Sequence, residues 1–82
     1  MKLKDTVDMM LSPDDKERFR AEYFQTKERY QNLHLMIVKY EVGKLAPDPS
    51  RPLDLLKRQA KAMGEYLYVL EMRSHLEDIS LE

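Results

Sequence analysis

The side chains in this chain that are able to do chemistry are tyrosines and cations set at helical spacing. Tyr23, Lys27 and Tyr30 recur at i, i+4 and i+7, which places them along one side of a helix. Later in the chain Gln59, Tyr66 and Arg73 recur seven residues apart, next to a basic cluster of Lys57, Arg58 and Lys61. A tyrosine offers a flat face for stacking and a hydroxyl for hydrogen bonding. An arginine fork meets two phosphate oxygens at once, so Arg58 is a better phosphate donor than its lysine neighbours. The chemistry within reach is recognition of a small, flat, anionic molecule. A plainer reading stands beside it: tyrosines at heptad positions also serve as core with wet hydroxyls, and a basic cluster also serves as a solvated face.

Catalysis is poorly supplied. There is no cysteine, and the two histidines, His34 and His75, are far apart in sequence. If two helices pair antiparallel around a turn near residue 47, positions summing to about 95 lie level with one another. The histidines are then roughly 20 Å apart along the axis and share no metal within one chain. His34 reads as a boundary residue beside the seam, and His75 as a partner for a helix C-terminus. Asp14 and Asp15 suit a helix start; Glu77 and Asp78 are unfavourably placed at a helix end and mark fraying there. Gly43 and Gly64 are the only glycines, so no Gly-rich phosphate loop exists. The chain reads as non-enzymatic, with no catalytic set, no metal site and no cofactor.

Charged residues make up 35% of the 82, and the net charge is −1. That balance argues against a DNA or RNA partner, which calls for a basic excess. A small anionic ligand needs only two or three cations in one place. No apolar run approaches the roughly 20 residues of a membrane span, and Asp5 and Asp8 interrupt the apolar start that a signal peptide would need. The expected setting is a reducing cytoplasm. The final Leu81-Glu82 has the form of a cloning scar.

The elements that must position these residues are two long helices in a single helical domain. Ser12-Pro13-Asp14-Asp15 is a helix start, with Ser12 as cap and Pro13 at the first helical position. Phe19, Tyr23, Thr26, Tyr30, Leu33, Ile37 and Tyr40 then repeat at four-three spacing, giving one helix from 13 to about 42, which Gly43 ends in the left-handed conformation. Pro47, Pro49 and Pro52 forbid a helix in the connection, and Pro52 opens the last helix, which runs to about 77. That helix carries two apolar stripes. Leu53, Leu56, Ala60, Met63, Leu67 and Leu70 form one; Leu55, Gln59, Ala62, Tyr66, Val69, Arg73 and Leu76 form the other, roughly 110° away. One partner helix covers one stripe, so the second points to a homo-oligomer contact with a partly polar site, or else to a wide core-facing surface. Residues 3 to 11 form a short amphipathic helix, too short to stand alone, for which the second stripe is one dock. By the level rule, Tyr23, Lys27, Tyr68 and Arg73 converge in the outer half of the pair.

The segments AEYFQTKERYQNLHLMIVKYEVGKL and LLKRQAKAMGEYLYVLEMR resemble a family of small proteins of gut-bacterial phages and prophages related to a crAss-like phage protein. The resemblance covers roughly residues 19 to 77, and Gln59, Met63, Tyr66 and Arg73 are its most specific part. Those proteins are similar in architecture, as short helical hairpins, to the hairpin domain of anti-CBASS and anti-Thoeris sponges. Such sponges form oligomers and sequester cyclic nucleotide immune signals between subunits. The resemblance implies a non-catalytic anti-defence protein acting in the cytoplasm of the infected bacterial host. Tyr23 and Tyr66 would stack the base, Lys27, Arg58 and Arg73 would meet phosphates, and Gln59 would bind a base edge or ribose. The Gln-Gly-aromatic-Met run of the anti-CBASS members is missing, since Gly64 is followed by Glu65. The alternative is a helical protein–protein module that inhibits a host protein or assists phage assembly, with its tyrosines as contact residues.

Overall fold

The computed structural model describes residues 6–46 and 48–81. Among the described residues three helices occur in order: α1 (Val7–Met10), α2 (Asp15–Glu41) and α3 (Leu53–Leu76). No strand occurs among the described residues. The all-helical class follows from the unbroken four-three repeats, which only a helix can bring onto one face.

The start of α2 differs from expectation. Asp14, not Ser12, is the cap: its carboxylate accepts the Lys16 amide at 2.9 Å. Ser12 acts one step earlier, its hydroxyl oxygen accepting the Asp14 amide at 3.1 Å, and Pro13 lies outside the helix. A carboxylate at the positive end of the helix dipole is the stronger of the two acceptors. At the other end Gly43 takes φ +78° as expected. The Lys44 amide reaches back to the Lys39 carbonyl at 2.7 Å, and the Gly43 amide to that of Tyr40 at 3.1 Å. This pattern satisfies the last carbonyls of α2. Pro52 is the N-cap of α3 rather than its first residue.

Cross-helix neighbours fall along α2 as they rise along α3. Tyr23 meets Glu71, Tyr30 lies beside Gly64, and Glu41 forms an ion pair with Lys57. The two long helices therefore run in opposite directions. Between them, Tyr23, Leu67 and Leu70 form the buried cluster, with Phe19, Phe24, Tyr30 and Leu81 packed around it. Thr26, Leu33 and Ile37 continue the buried line on α2, and Leu53, Leu56, Ala60 and Met63 are partly covered on α3. Each such leucine contributes about 1.5–3 kcal/mol when fully buried. The second stripe of α3 is different: Leu55, Gln59, Ala62, Tyr66, Val69, Arg73 and Leu76 are all exposed, Leu76 by 84%.

Of the helix expected over 3 to 11, α1 covers Val7–Met10, and it does not dock on that stripe. Residues 3–5 lie outside the described residues; α1 packs on α2. Gln25 explains the choice. Its amide donates to the buried Thr6 hydroxyl at 2.8 Å and contacts the Met10 sulfur. A buried hydroxyl needs such a partner, and the stripe on α3 is mostly apolar.

The end of α3 does not fray. Asp78 takes the left-handed conformation at φ +53°, and the Ile79 amide donates to the Ser74 carbonyl at 2.8 Å. The chain doubles back, burying Ile79 and laying Leu81 against the Tyr23–Leu67–Leu70 cluster. Leu70, only 2% exposed, is the most sensitive core position. Leu70→Ala is expected to lower the free energy of unfolding by about 2–5 kcal/mol in chemical denaturation. Asp78→Gly is expected to raise it slightly, because glycine adopts the left-handed turn without the Cβ penalty.

Candidate functional site

Two open grooves flank the α2–α3 seam. On α3, Gly64 and Glu71 lie to one side of Leu67, while Tyr66 and Arg73 lie to the other. The first groove, of about 280 Å³, is walled by Tyr23, Lys27, Tyr30 and Gln31 from α2 and by Leu67 and Glu71 from α3, with Gly64 between them. The second, of about 560 Å³, includes Phe19 and Glu22 from α2 and Tyr66, Leu70, Arg73 and Glu77 from α3. A third cavity lies under the returning tail, between Tyr23, His75 and Leu81.

The six residues singled out in the sequence are thus divided. Tyr23 and Lys27 share the first groove, with the Lys27 ammonium 5.7 Å from the centre of the Tyr23 ring. Tyr66 and Arg73 share the second, where the Arg73 guanidinium lies 4.9 Å from the centre of the Phe19 ring. Arg58 and Gln59 are exposed nearer the turn and line neither groove. Tyr68 is exposed and lines neither groove, so the expected convergence of Tyr23, Lys27, Tyr68 and Arg73 does not occur. The level rule finds neighbours along the axis but is blind to the side of the seam.

Carboxylates missed in the sequence organise both grooves. The Tyr23 hydroxyl donates to Glu71 Oε2 at 3.1 Å, and the Tyr66 hydroxyl donates to Glu22 Oε1 at 3.1 Å. Thr26 also donates to Glu22, at 3.2 Å. Arg73 Nε donates to Glu77 Oε2 at 2.9 Å, which holds the guanidinium on the groove wall. The antiparallel register was the available signal, since it sets Glu71 level with Tyr23. Tyr30 stacks on exposed His34, with centroids 6.3 Å apart and planes 18° from parallel.

Burial raises the Tyr23 hydroxyl above its ordinary value of 10.0, and its bond to the Glu71 carboxylate adds to the rise. Tyr66 is raised first by burial and then by the Glu22 charge, against an opposing effect of Arg73. Both hydroxyls therefore remain donors through the physiological range. Among the described residues no group of His, Asp or Glu is arranged to hold a metal ion. None of the described helices is long and apolar enough to cross a membrane. The grooves offer flat rings with cations beside them, which suits stacking and anion binding.

The profile of the Sequestin family matches residues 13–76. The chain belongs to the Sequestin family. The Sequestin match takes in α2, the proline-rich turn and α3, and so contains the whole first groove and most of the second, whose Glu77 and Ile79 lie beyond it. No curated protein matches the chain, and no solved structure does. The family name fits a sequestering, sponge-like protein.

The two raised hydroxyls make a testable pair. Their folded-state pKa values exceed the unfolded value, so the stability they contribute is present at neutral pH. It is lost as the pH climbs beyond 10 through the folded values. In an ultraviolet phenolate titration, Tyr23→Phe and Tyr66→Phe are each expected to remove an ionisation above pH 10 from the folded protein.

Proposed function

We propose that this Sequestin protein is a phage-encoded anti-defence sponge. It binds a nucleotide-derived immune signal, of the cyclic oligonucleotide or cyclic ADP-ribose type, and holds it without converting it. The observation that carries this reading is the second stripe of α3, which stays exposed while Gln59, Tyr66 and Arg73 interrupt its apolar line. A purely structural contact would be served better by an unbroken row of leucines. A helical hairpin with such a face assembles with further copies of itself, and the ligand lies at the junction. Tyr23 and Tyr66 stack bases, Lys27, Arg58 and Arg73 meet phosphates, and Gln59 bonds a base edge or ribose. The working place is the cytoplasm of the infected bacterium.

The division of these residues supports assembly as part of the mechanism. Arg58 and Gln59 lie outside both grooves of one chain, so a second copy is the natural way to bring them over the ring of a bound ligand. The alternative reading, a module that docks on a host or phage-assembly protein, is favoured by the apolar part of the same face, Leu55, Val69 and Leu76.

Calorimetry separates the two. The panel is cyclic di-AMP, cyclic di-GMP, cyclic GMP–AMP, cyclic tri-AMP and the cyclic ADP-ribose isomers. At least one is expected to bind stoichiometrically and to be released intact on heating. Lys27→Ala and Arg73→Ala are each expected to weaken that binding about tenfold or more, as loss of a charge-assisted contact does. Absence of heat with every compound, together with one stoichiometric protein partner captured from host lysate, would establish the module instead. Sedimentation at micromolar concentration is expected to show an oligomer; a folded single chain would leave the junction with no second wall.

A further inference from the structure

Gly64 stands in the interior of α3, where glycine is a poorer helix former than alanine. Among the described residues none requires it there. Its backbone is not in the left-handed region, unlike that of Gly43. A Cβ built on Gly64 meets Tyr30 Cε1 at 3.5 Å and Tyr30 Oη at 3.7 Å, which is ordinary van der Waals contact. Alanine would fit, strengthen the helix and pack on Tyr30. The glycine instead leaves bare backbone in the first groove, between Tyr23, Lys27 and Tyr30 on one side and Leu67 and Glu71 on the other.

We propose that Gly64 is the floor of a ring-binding subsite, where one nucleobase of the ligand lies against the side-chain-free backbone of α3 beside the Tyr30 ring. This rests on the sequestration reading and assigns that ligand's base to one of the two grooves. At about 280 Å³ the groove falls at the small end of the range of roughly 300–1,000 Å³ usual for ligand sites. It therefore takes one base and leaves the sugar-phosphate outside. The exposed Lys27 ammonium at the rim is placed to meet that phosphate. Glu71 accepts hydrogen bonds only, and Gln31 both donates and accepts. Together at the groove wall they read a base edge that presents N–H donors. The Tyr23 hydroxyl, by donating to Glu71, holds that carboxylate in place.

Gly64→Ala and Gly64→Leu test the subsite, each titrated with the compound of the panel above that binds the parent protein. Gly64→Ala is expected to raise the melting temperature, as a better helix former, and to weaken binding at least tenfold. Gly64→Leu, which fills the groove, is expected to abolish binding while the far-ultraviolet circular dichroism stays helical. Sedimentation of both variants is expected to match the parent. A Gly64→Ala protein that binds as tightly as the parent overturns the subsite and leaves the sequestration reading standing. A variant that binds less only because it no longer assembles overturns the subsite too, by assigning Gly64 to contact between copies. A parent protein that binds no compound of the panel overturns both.

Discussion

Helix α3 carries two apolar lines, and its packing against α2 covers one of them. The line through Leu67 and Leu70 wins α2, because it is the unbroken one and faces the matching row of Tyr23, Leu33 and Ile37. The other line keeps Leu55, Val69 and Leu76 in water. At about 25 cal/mol for each Å² of apolar surface, covering several such side chains is worth a few kcal/mol. For a domain this small, that is comparable to its whole stability. The short N-terminal helix does not relieve the problem, since Thr6 and Gln25 tie it to α2. The exposed line of α3 thus keeps apolar surface that a further contact would cover, which is what the proposed junction between copies draws on.

Within the helix pair, tyrosine–glutamate bonds do two jobs. Tyr23 reaches from α2 to Glu71 on α3, and Tyr66 reaches from α3 to Glu22 on α2. The first satisfies the hydroxyl of a buried tyrosine, which would otherwise be penalised, while the second lies at the exposed edge of the seam. Each also fixes the register of the seam and orients a ring along a groove. This removes the opposition between reading the tyrosines as core and reading them as binding residues. Tyr23 is buried among Leu67 and Leu70 and still walls the first groove with one edge.

The helices and their pairing could be read from the sequence because apolar residues at four-three spacing leave a helix no other face to bury. The caps were harder. Ser12 and Asp14 both cap helices, and the choice between them depends on where the backbone turns after Pro13. The returning tail was not legible at all. It depends on a non-glycine residue, Asp78, in a left-handed conformation, stabilised by the burial of Ile79 just beyond it. Local composition pointed to fraying because only the unfavourable charges were visible. The candidate site was half legible. Register along the axis set Tyr23 level with the last turns of α3, yet placement on one or other side of the seam turns on angles of about 100° per residue on both helices at once. A small error there moves a side chain from one groove to the other, which is how Arg73 came to stand with Phe19 rather than with Lys27.

The mixture of charges in the grooves bears on what kind of anion suits them. Lys27 and Arg73 each lie over an aromatic ring, but Glu71 lies close to the first and Glu77 pairs with the second. A long polyanion binds by displacing many counterions and gains from every cation it passes. Here it would meet a carboxylate at nearly every step, on a chain whose net charge is already −1. A compact ligand is affected differently. It can place a ring on the aromatic wall, a phosphate on the neighbouring cation and an N–H edge on the carboxylate, so that the same glutamates repelling a nucleic acid become acceptors for it. Specificity of this kind comes from the groups that reject the wrong ligand as much as from those that hold the right one.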